Sequence, residues 1–314
     1  MIVHFYLRYS TQFGQTLLVS GNTGVLGNND SSRAFSLEYL NEQLWHGSVE
    51  IDPKQLEDPL NYKYILHNEK GEEIPEFGED RLVDLQKIKA DRIVLADTWN
   101  HAGQIENAFF TAAFQDVLLK QPKTKTAANK EPRSFTHEFR IKAPLLNENE
   151  IICISGSAKA FNDWDKANVI PLSKKDNWWT LRVNLAGETF PLAYKYGVYN
   201  SADKKFIRFE EGNNRTLLAV EAGKTVTIIH DGFAKVNPAN WKGTGVAIPV
   251  FSLRSKKGFG TGEFTDLKLL VDWAKKTGLK MIQLLPVNDT TATNTWKDSY
   301  PYSAISAFAL HPML

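Results

Sequence analysis

The sequence places aromatic, basic, carboxylate and amide side chains where together they could bind a neutral sugar. Trp164 lies in the turn Phe161–Asp165, Lys195 lies in an alternating stretch, and residues 209–215 read Phe-Glu-Glu-Gly-Asn-Asn-Arg. Neutral sugars carry no charge, so proteins stack flat rings on their apolar faces and bind their hydroxyls with amide, ammonium and carboxylate groups. A Trp in a turn that also carries Asn and Asp favours binding, whereas Lys195 taken alone is typical of a solvated strand face.

Two other chemistries fit the residues less well. Residues Gly258–Gly262 follow an apolar run and precede a helical pattern, as a dinucleotide-binding loop would. The sixth position of that fingerprint is Glu263 instead of Gly, and the chain has no complete Gly-x-x-x-x-Gly-Lys-Ser/Thr motif of a phosphate-binding loop. The single cysteine, Cys153, lies in the apolar run Ile151–Ile154 and is expected to be a buried structural thiol. No spacing implies a metal or an organic cofactor.

Composition indicates an ordinary globular protein. The 314 residues carry a net charge of +1, with 42% hydrophobic and 23% charged residues, which suits about two to three domains with real cores. Such a charge gives no electrostatic footprint for nucleic acid or for an anionic membrane, so we expect neither partner. The N-terminal residues alternate instead of forming an apolar block, and we expect a cytosolic protein.

Two regions read as successions of short β-strands with period two. The first is predicted to have strands at Val3–Tyr9, Thr16–Ser20, Phe35–Leu40, Trp45–Ile51, Tyr62–Leu66 and Arg92–Ala96. The second is predicted to have strands at Phe135–Ile141, Ile151–Ser155, Trp179–Asn184, Ala193–Tyr199 and Thr225–His230. Each region has the size of a small β-sandwich. Trp178 and Trp179 point to opposite faces of one strand, so one of them belongs to a core.

The two regions resemble each other. Five features recur at offsets of 132 to 135 residues: Gly21 as Gly156, Trp45 as Trp179, Tyr62-Lys63-Tyr64 as Tyr194-Lys195-Tyr196, Arg81 as Arg215, and Asp97-Thr98-Trp99 as Asp231-Gly232-Phe233. A tandem duplication is the simplest explanation.

The connecting segments complete the predicted organisation. Residues Asn107–Leu119 carry apolar side chains at helical spacing and predict a short helix. We expect domains at 1–120 and 135–236, an exposed linker at 121–134, and a joint at Val236–Asn240 before a last domain at 237–314.

That last segment has a different architecture. An apolar run, Val246–Phe251, precedes a helical pattern that ends at Gly278, and a second apolar run follows at Met281–Val287. This is a β-α-β unit with fewer than about 80 residues available, whereas a (β/α)8 barrel needs about 250. We therefore expect the chain to be a fragment of a longer protein.

The second region resembles the starch-binding modules of carbohydrate-binding module family 20. The resemblance rests on Gly156, Trp164-Asp165, Trp179, Tyr194-Lys195-Tyr196 and residues 210–215. It implies an α-glucan site formed by Trp164, Lys195, Phe209, Glu210 and Asn214. The family usually has a Trp at the position of Phe209, so stacking there is expected to be weaker.

The first region follows the family pattern less closely. Asn29 stands where the stacking Trp belongs, although Lys63 is retained. Phe77 or a neighbour could replace the second aromatic residue, and Phe13 could belong to the family's more peripheral site. We expect this region to bind glucan weakly or to support the fold only.

The C-terminal stretch resembles the start of the amylomaltase family, the 4-alpha-glucanotransferases of glycoside hydrolase family 77. Several motifs recur in order: residues 245–249, 258–264, 272–274, 283–289 and 299–309. The resemblance implies that Tyr302, and less specifically Asp289, line sugar subsites at the face where barrel active sites are built. It also implies that the catalytic carboxylates lie on later strands, beyond Leu314.

Together the two resemblances predict a mainly β fold: two tandem starch-binding β-sandwiches followed by the first β-α-β of a (β/α)8 barrel. The implied function is a 4-alpha-glucanotransferase acting on α-1,4-glucans such as maltose, starch or glycogen, without a cofactor. The fragment itself is expected to bind glucan but to be inactive. The alternative is a non-catalytic adaptor that binds α-glucan.

Overall fold

The computed structural model describes residues 1–118, 132, 134–218, 223–236 and 243–312. The chain divides into two compact units, Met1–Pro238 and Ala239–Leu314, and each is described by itself. The first unit contains two β-modules, here called the first module (residues 1–118) and the second module (residues 134–236). Nearly all of the predicted linker at 121–134 and residues 237–240 of the predicted joint lie outside the described residues.

The first module consists of nine strands and short helical turns. The strands are β1 (Ile2–Arg8), β2 (Thr16–Gly21), β3 (Phe35–Ser36), β4 (Glu38–Asn41), β5 (Leu44–Glu50), β6 (Leu60–His67), β7 (Glu73–Pro75), β8 (Arg81–Val83) and β9 (Arg92–Thr98). The 3-10 turns are Gly24–Asn29, Ser31–Arg33, Pro53–Gln55, Leu85–Lys87 and Ile105–Phe110, and a π-helical turn spans Ala113–Leu118.

The second module repeats this order. Its strands are β10 (His137–Lys142), β11 (Glu150–Gly156), β12 (Ile170–Pro171), β13 (Ser173–Lys175), β14 (Trp178–Val183), β15 (Leu192–Asn200), β16 (Lys205–Phe209), β17 (Arg215–Leu217) and β18 (Thr225–Phe233). Two 3-10 turns, Lys159–Trp164 and Lys166–Asn168, follow β11 as two follow β2 in the first module. The structural order therefore supports the duplication inferred from the sequence.

The two modules share one continuous sheet. Its eight strands run in the order β13-β14-β10-β18-β9-β1-β5-β4, and each module adds a five-stranded sheet of its own. The four central strands are parallel, because β9 pairs with β1, β18 with β9, and β10 with β18 in parallel register. Each module is thus a sandwich of half the shared sheet and its own sheet, with a core between them.

The junction strands β9 and β18 contribute to both cores. Ile93 and Leu95 of β9 and Ile228 of β18 lie in the core of the first module, whereas Ala96 and Ile229 pack in the core of the second. Successive side chains of a strand point to opposite faces, so the two cores lie on opposite faces of the shared sheet. This explains why residues 93–96 and 226–229 are almost continuously apolar.

The predicted strands are confirmed to within a few residues, with one exception. The stretch Phe35–Leu40 forms two short strands instead of one, because Leu37 turns inward, is buried, and donates its N–H to Leu17 O at 2.8 Å. The short strands β7, β8, β12, β13, β16 and β17 were not predicted. Trp179 is buried and Trp178 is half-buried, as their opposite orientation required.

The prediction of one helix over Asn107–Leu119 is wrong within the described residues. The chain instead forms the turn Ile105–Phe110 and the π-helical turn Ala113–Leu118. The hydroxyl of Thr111 donates to Ala108 O at 2.7 Å and closes the first turn. The rings of Phe109 and Phe114 then meet edge to face at 5.2 Å. Aromatic packing across the break, rather than one apolar helical face, accounts for the spacing.

The second unit contains the predicted β-α-β arrangement. Strand β19 (Gly245–Ile248) pairs in parallel with β20 (Met281–Leu284), and helix α1 (Leu267–Thr277) connects them. The helix ends at Gly278 in the left-handed conformation (φ 76°). The apolar side chains Leu269, Val271 and Trp273 on α1 are exposed. Three 3-10 turns, Val250–Ser252, Phe264–Asp266 and Trp296–Ser299, complete the unit. Among the described residues, no helix is long and apolar enough to cross a membrane.

The shared sheet leads to a paired prediction for neighbouring isoleucines. Ile228→Ala and Ile229→Ala should each lower the free energy of unfolding by about 2–5 kcal/mol, because each opens a cavity in a buried core. Native-state hydrogen exchange should separate them. Ile228→Ala should weaken protection most in β2 and β6 of the first module, and Ile229→Ala most in β11 and β15 of the second. If both substitutions weakened protection only in the second module, the assignment of Ile228 to the core of the first module would be wrong.

Candidate binding site

Trp164 is held by a turn with an unusual backbone. Three consecutive residues, Asn162, Asp163 and Trp164, have φ values of 58°, 46° and 63°. The first module has the same conformation at Gly27, Asn28 and Asn29, with φ values of 84°, 51° and 65°. Gly and Asn adopt this left-handed region readily, whereas a bulky residue does so only when its surroundings enforce it. Trp164 therefore occupies a strained position that Asn29 fills without a large side chain.

The ring of Trp164 forms a corner with Phe209 at the end of β16. The two ring centroids lie 6.1 Å apart with an interplanar angle of 80°. Both side chains are half-buried, so each keeps some surface in contact with solvent. Lys166 adds an ammonium 5.7 Å from the Phe209 centroid. The sequence analysis did not single out Lys166, although its place two residues after Trp164, at the start of the next turn, was a usable signal.

Lys195 contacts the loop that carries Asn214. The ammonium of Lys195 on β15 donates to Gly212 O, and this contact holds the loop 210–214 beside the strand. Asn214 lies exposed at the end of that loop. The structure thus connects Lys195 directly to the loop that carries Asn214.

Glu210 lies inside the protein. The residue is 4% exposed, and its two carboxylate oxygens accept from Nε and Nη2 of Arg215, each at 2.9 Å. The same carboxylate accepts from the backbone N–H of Tyr196 at 3.1 Å. These bonds occupy its acceptor sites, so Glu210 anchors the start of the loop and its carboxylate is engaged by protein groups.

The Tyr-Lys-Tyr motif explains how Lys195 is oriented. Tyr194 and Tyr196 point into the core, and their hydroxyls donate to Asp231 Oδ2 at 2.8 and 2.9 Å. Because side chains alternate along a strand, Lys195 must point to the other face, toward the loop. Burial would raise the pKa of Asp231, but Arg8, Arg215 and the tyrosine hydroxyls outweigh it and hold that pKa below its ordinary value.

The first module contains the same network around Asp97. Tyr62 and Tyr64 donate to Asp97 Oδ2 at 2.9 and 2.6 Å, and His230 Nδ1 of the second module lies 2.6 Å from Oδ1. Burial opposes ionisation of Asp97, yet Arg81, His230 and Tyr64 lower its pKa to about 2. The scaffold of the site is therefore duplicated.

The rings of the site are not duplicated in the first module. Pro75 pairs with Ile65 in the first module, and Phe209 pairs with Gly197 at the equivalent position of the second module. Pro75 therefore occupies the position of Phe209. Lys63 forms a partly exposed ion pair with Asp80 at 3.8 Å. Phe77 lies two residues beyond Pro75, and its backbone N–H donates to Asn100 O in a cleft between the modules. Phe13 is 97% exposed in the loop between β1 and β2.

In the second unit, both predicted residues follow β20. Asp289 Oδ1 accepts from Thr291 N at 2.8 Å, and hydrogen bonds from Thr291 hold the pKa of this carboxyl below its ordinary value. Tyr302 is 58% exposed, and its ring centroid lies 5.4 Å from that of Tyr300. The backbone N–H of Ile305 donates to Asp289 O, which links the two parts of this loop region.

Two further observations concern possible reactive or metal-binding groups. Cys153 is 1% exposed, and burial raises the pKa of its thiol to about 12, so the prediction of a buried structural thiol is confirmed. In the described part of the chain, no three His, Cys, Asp or Glu side chains are arranged to hold a metal ion.

Comparison with protein families gives matches along most of the chain. The profile of the starch binding domain family matches residues 1–92 and 136–229, and the profile of the 4-alpha-glucanotransferases of glycoside hydrolase family 77 matches residues 248–314. The first match covers both β-modules, and the second begins at the end of β19.

Individual relatives agree with these profiles. The chain is 34% identical over 326 aligned residues to the 4-alpha-glucanotransferase DPE2 of Oryza sativa subsp. japonica. This alignment covers 98% of this chain and 34% of the rice protein. It is 45% identical over 69 residues to a 4-alpha-glucanotransferase of Chlamydia pneumoniae, covering 22% of this chain and 12% of that protein. Among solved structures, a family 15 glucoamylase from Hypocrea jecorina is 32% identical over 32% of this chain and 17% of its own, with a TM-score of 0.27.

The buried histidines predict how stability depends on pH. Burial lowers the pKa of His230 and of His137 to about 4, from an ordinary value of 6.5. Between these values the unfolded chain binds protons that the folded chain does not, so acid favours unfolding. The free energy of unfolding should be constant above about pH 6.5 and fall toward pH 4, by up to about 1.4 kcal/mol per pH unit for each histidine.

Urea unfolding at a series of pH values measures this slope. The matched variant is His230→Asn, whose amide nitrogen can donate to Asp97 much as Nδ1 does. It should retain the fold and show a shallower slope between pH 4 and 6.5. An unchanged slope would mean that His230 is not held neutral in the folded protein.

Proposed function

Because this chain belongs to the starch-binding domain family, we propose that the corner formed by Trp164, Phe209, Lys195 and Asn214 in the second module binds α-1,4-glucan. The observation that carries the proposal is the backbone of Trp164. A large ring held in a left-handed conformation costs of order 1–3 kcal/mol, and here that ring is partly solvent-accessible beside a second ring. Binding a ligand gives that strain a function.

The chemistry of the corner suits glucose units. Two rings at a steep angle can contact the apolar faces of successive, mutually turned glucose rings, as a helical α-1,4-chain presents them. Lys195, Lys166 and Asn214 supply ammonium and amide groups for the hydroxyls. Glu210 contributes indirectly, because its bonds to Arg215 and Tyr196 fix the loop that presents Asn214.

The first module is proposed to contribute little at the equivalent corner. Asn29 and Pro75 stand at the positions of Trp164 and Phe209, so both flat rings are missing. Lys63 remains but pairs with Asp80. Without a stacking surface, the remaining polar groups compete poorly with water for sugar hydroxyls.

The protein to which this chain corresponds is proposed to be a 4-alpha-glucanotransferase. The family 77 match over residues 248–314 and the similarity to the rice 4-alpha-glucanotransferase support this activity. The chain spans about a third of the rice protein's length, so the activity concerns the whole protein. In this proposal the second unit is the first β-α-β of a (β/α)8 barrel, and Asp289 and Tyr302 lie after its second strand, on the face where barrel active sites form.

The modules would then serve the transfer reaction by tethering. Retaining transfer uses a nucleophilic carboxylate and an acid/base carboxylate about 5 Å apart, and in this proposal these groups lie on later strands of the barrel. A glucan chain held by the second module would have a raised effective concentration at the catalytic face. Starch, glycogen and maltooligosaccharides are the proposed ligands.

Isothermal calorimetry with maltoheptaose tests the binding corner. Trp164→Ala should abolish the main binding event, because it removes the ring on which the sugar stacks; a loss of at least about tenfold in affinity corresponds to about 1.4 kcal/mol. The matched control is Asn29→Ala, at the equivalent left-handed position of the first module, which should leave the affinity unchanged. Undiminished binding by Trp164→Ala would place the site elsewhere.

Incubation with maltose and glycogen tests whether catalysis requires the whole protein and is absent from this chain alone. The 314-residue chain should release no glucose, because a transferase needs both catalytic carboxylates. The same chain extended to the proposed whole protein, with a complete (β/α)8 barrel, should release glucose. Turnover by the 314-residue chain would show that its own carboxylates suffice, and an inactive extended protein would favour the glucan-binding adaptor.

A further inference from the structure

A cleft lies between the two modules at the carboxyl ends of the four parallel central strands. It has a volume of about 510 Å³, within the range of about 300–1,000 Å³ typical of ligand sites. Residues at or just beyond the ends of β1, β9, β10 and β18 form its floor, including Arg8, Lys142 and Phe233. Because β9 and β18 come from different modules, neither module forms this cleft alone.

Equivalent loops of the two modules form the facing walls. Residues of the loop 76–79 lie on one side, and residues of the loop 210–213 lie on the other. The backbone N–H of Phe77 donates to Asn100 O at 3.1 Å, and that of Glu211 donates to Lys235 O at 2.9 Å. These matched bonds fix both walls against the strand ends.

The charges around the cleft favour a neutral ligand. Among the described residues, five cationic and six carboxylate side chains line it. The cations near the floor are largely paired inside the protein: Arg8 with Asp231 at 2.8 Å, Arg215 with Glu210, and Arg81 with Glu76. Lys142 lies 4.7 Å from the ring centroid of Trp178. The lining side chains therefore carry a net charge of −1, which does not attract an anion.

Phe77 gives the cleft a stacking surface. In the first module, Pro75 occupies the position that Phe209 has in the second module. Phe77 lies two residues further on, lines the cleft and is 46% exposed. The exposed amide side chains of Gln104 and Asn213 also line the cleft. An aromatic ring together with amide groups is the chemistry that recognises a neutral polyol.

We propose that this cleft is a second glucan site, built jointly by both modules, that holds a short segment of linear α-1,4-glucan against Phe77. The choice of ligand rests on the proposed function of the Trp164 corner. Through this joint site the first module takes part in binding, although Asn29 and Pro75 leave its own corner without aromatic rings. A glucan chain held there would contact both modules at once.

Cysteine protection can test the cleft separately from the Trp164 corner. The only native cysteine, Cys153, is buried, and burial raises the pKa of its thiol to about 12, so it should resist alkylation in the folded chain. Gln104→Cys therefore introduces a single reactive thiol on the cleft wall. Glu57→Cys, exposed and away from the cleft lining, is the matched control. Both are made in the wild-type and in the Trp164→Ala background, and alkylation rates are measured with and without maltoheptaose.

Maltoheptaose should slow alkylation of the Gln104→Cys thiol at least about fivefold in both backgrounds and leave the Glu57→Cys thiol unaffected. Adding Phe77→Ala should remove the protection. Binding measured by calorimetry without protection of the Gln104→Cys thiol would overturn the cleft site and leave the proposed function intact. Protection that disappears with Trp164→Ala, or that survives Phe77→Ala, would overturn an independent site with Phe77 as its platform. Absence of any maltoheptaose binding would overturn both.

Discussion

Two buried carboxylates, Asp97 and Asp231, impose the constraint on which the first unit depends. Both are almost completely removed from solvent, and a buried charge is costly unless it is paired and hydrogen-bonded. Each module supplies two tyrosine hydroxyls and one arginine to its own aspartate. The set is completed from the other module, by His230 for Asp97 and by Arg8 for Asp231.

Because each aspartate takes one partner from the other module, the stabilisation of its charge depends on how the strands are arranged. His230 and Arg8 can reach across only because β9 and β18 lie side by side in one sheet. The same pairing places Ile228 in one core and Ile229 in the other. Separating the modules would therefore expose apolar residues on both junction strands and leave both carboxylates short of a partner. The two modules form one structural unit for these two independent reasons.

The strands were predictable because their alternation and their duplication reinforced each other, but the shared sheet was not. A run such as residues 226–229 reveals burial on both faces without revealing which strand lies beside it. The same limit applies to the candidate site. Trp164, Phe209 and Lys195 were predicted from residue type, turn context and the family resemblance, and their binding role stays a prediction. The internal position of Glu210 depends on Arg215, five residues along a loop whose path the sequence does not specify. Phe77 or a neighbour was expected to replace the second aromatic residue, and only the strand register shows that Pro75 occupies the position of Phe209.

The first module shows that the scaffold and the binding surface are physically separable. Its aspartate, tyrosines and arginine are all present and bonded, because they satisfy buried groups and support the junction whether or not sugar binds. Its rings are absent, and at the left-handed turn position it has Asn29, a residue that adopts this backbone at little cost. In the second module the same position carries Trp164, and nothing in the core requires a large ring there. The difference between Asn29 and Trp164 therefore marks where the duplicated fold bears conformational strain, at the ring of the proposed glucan site.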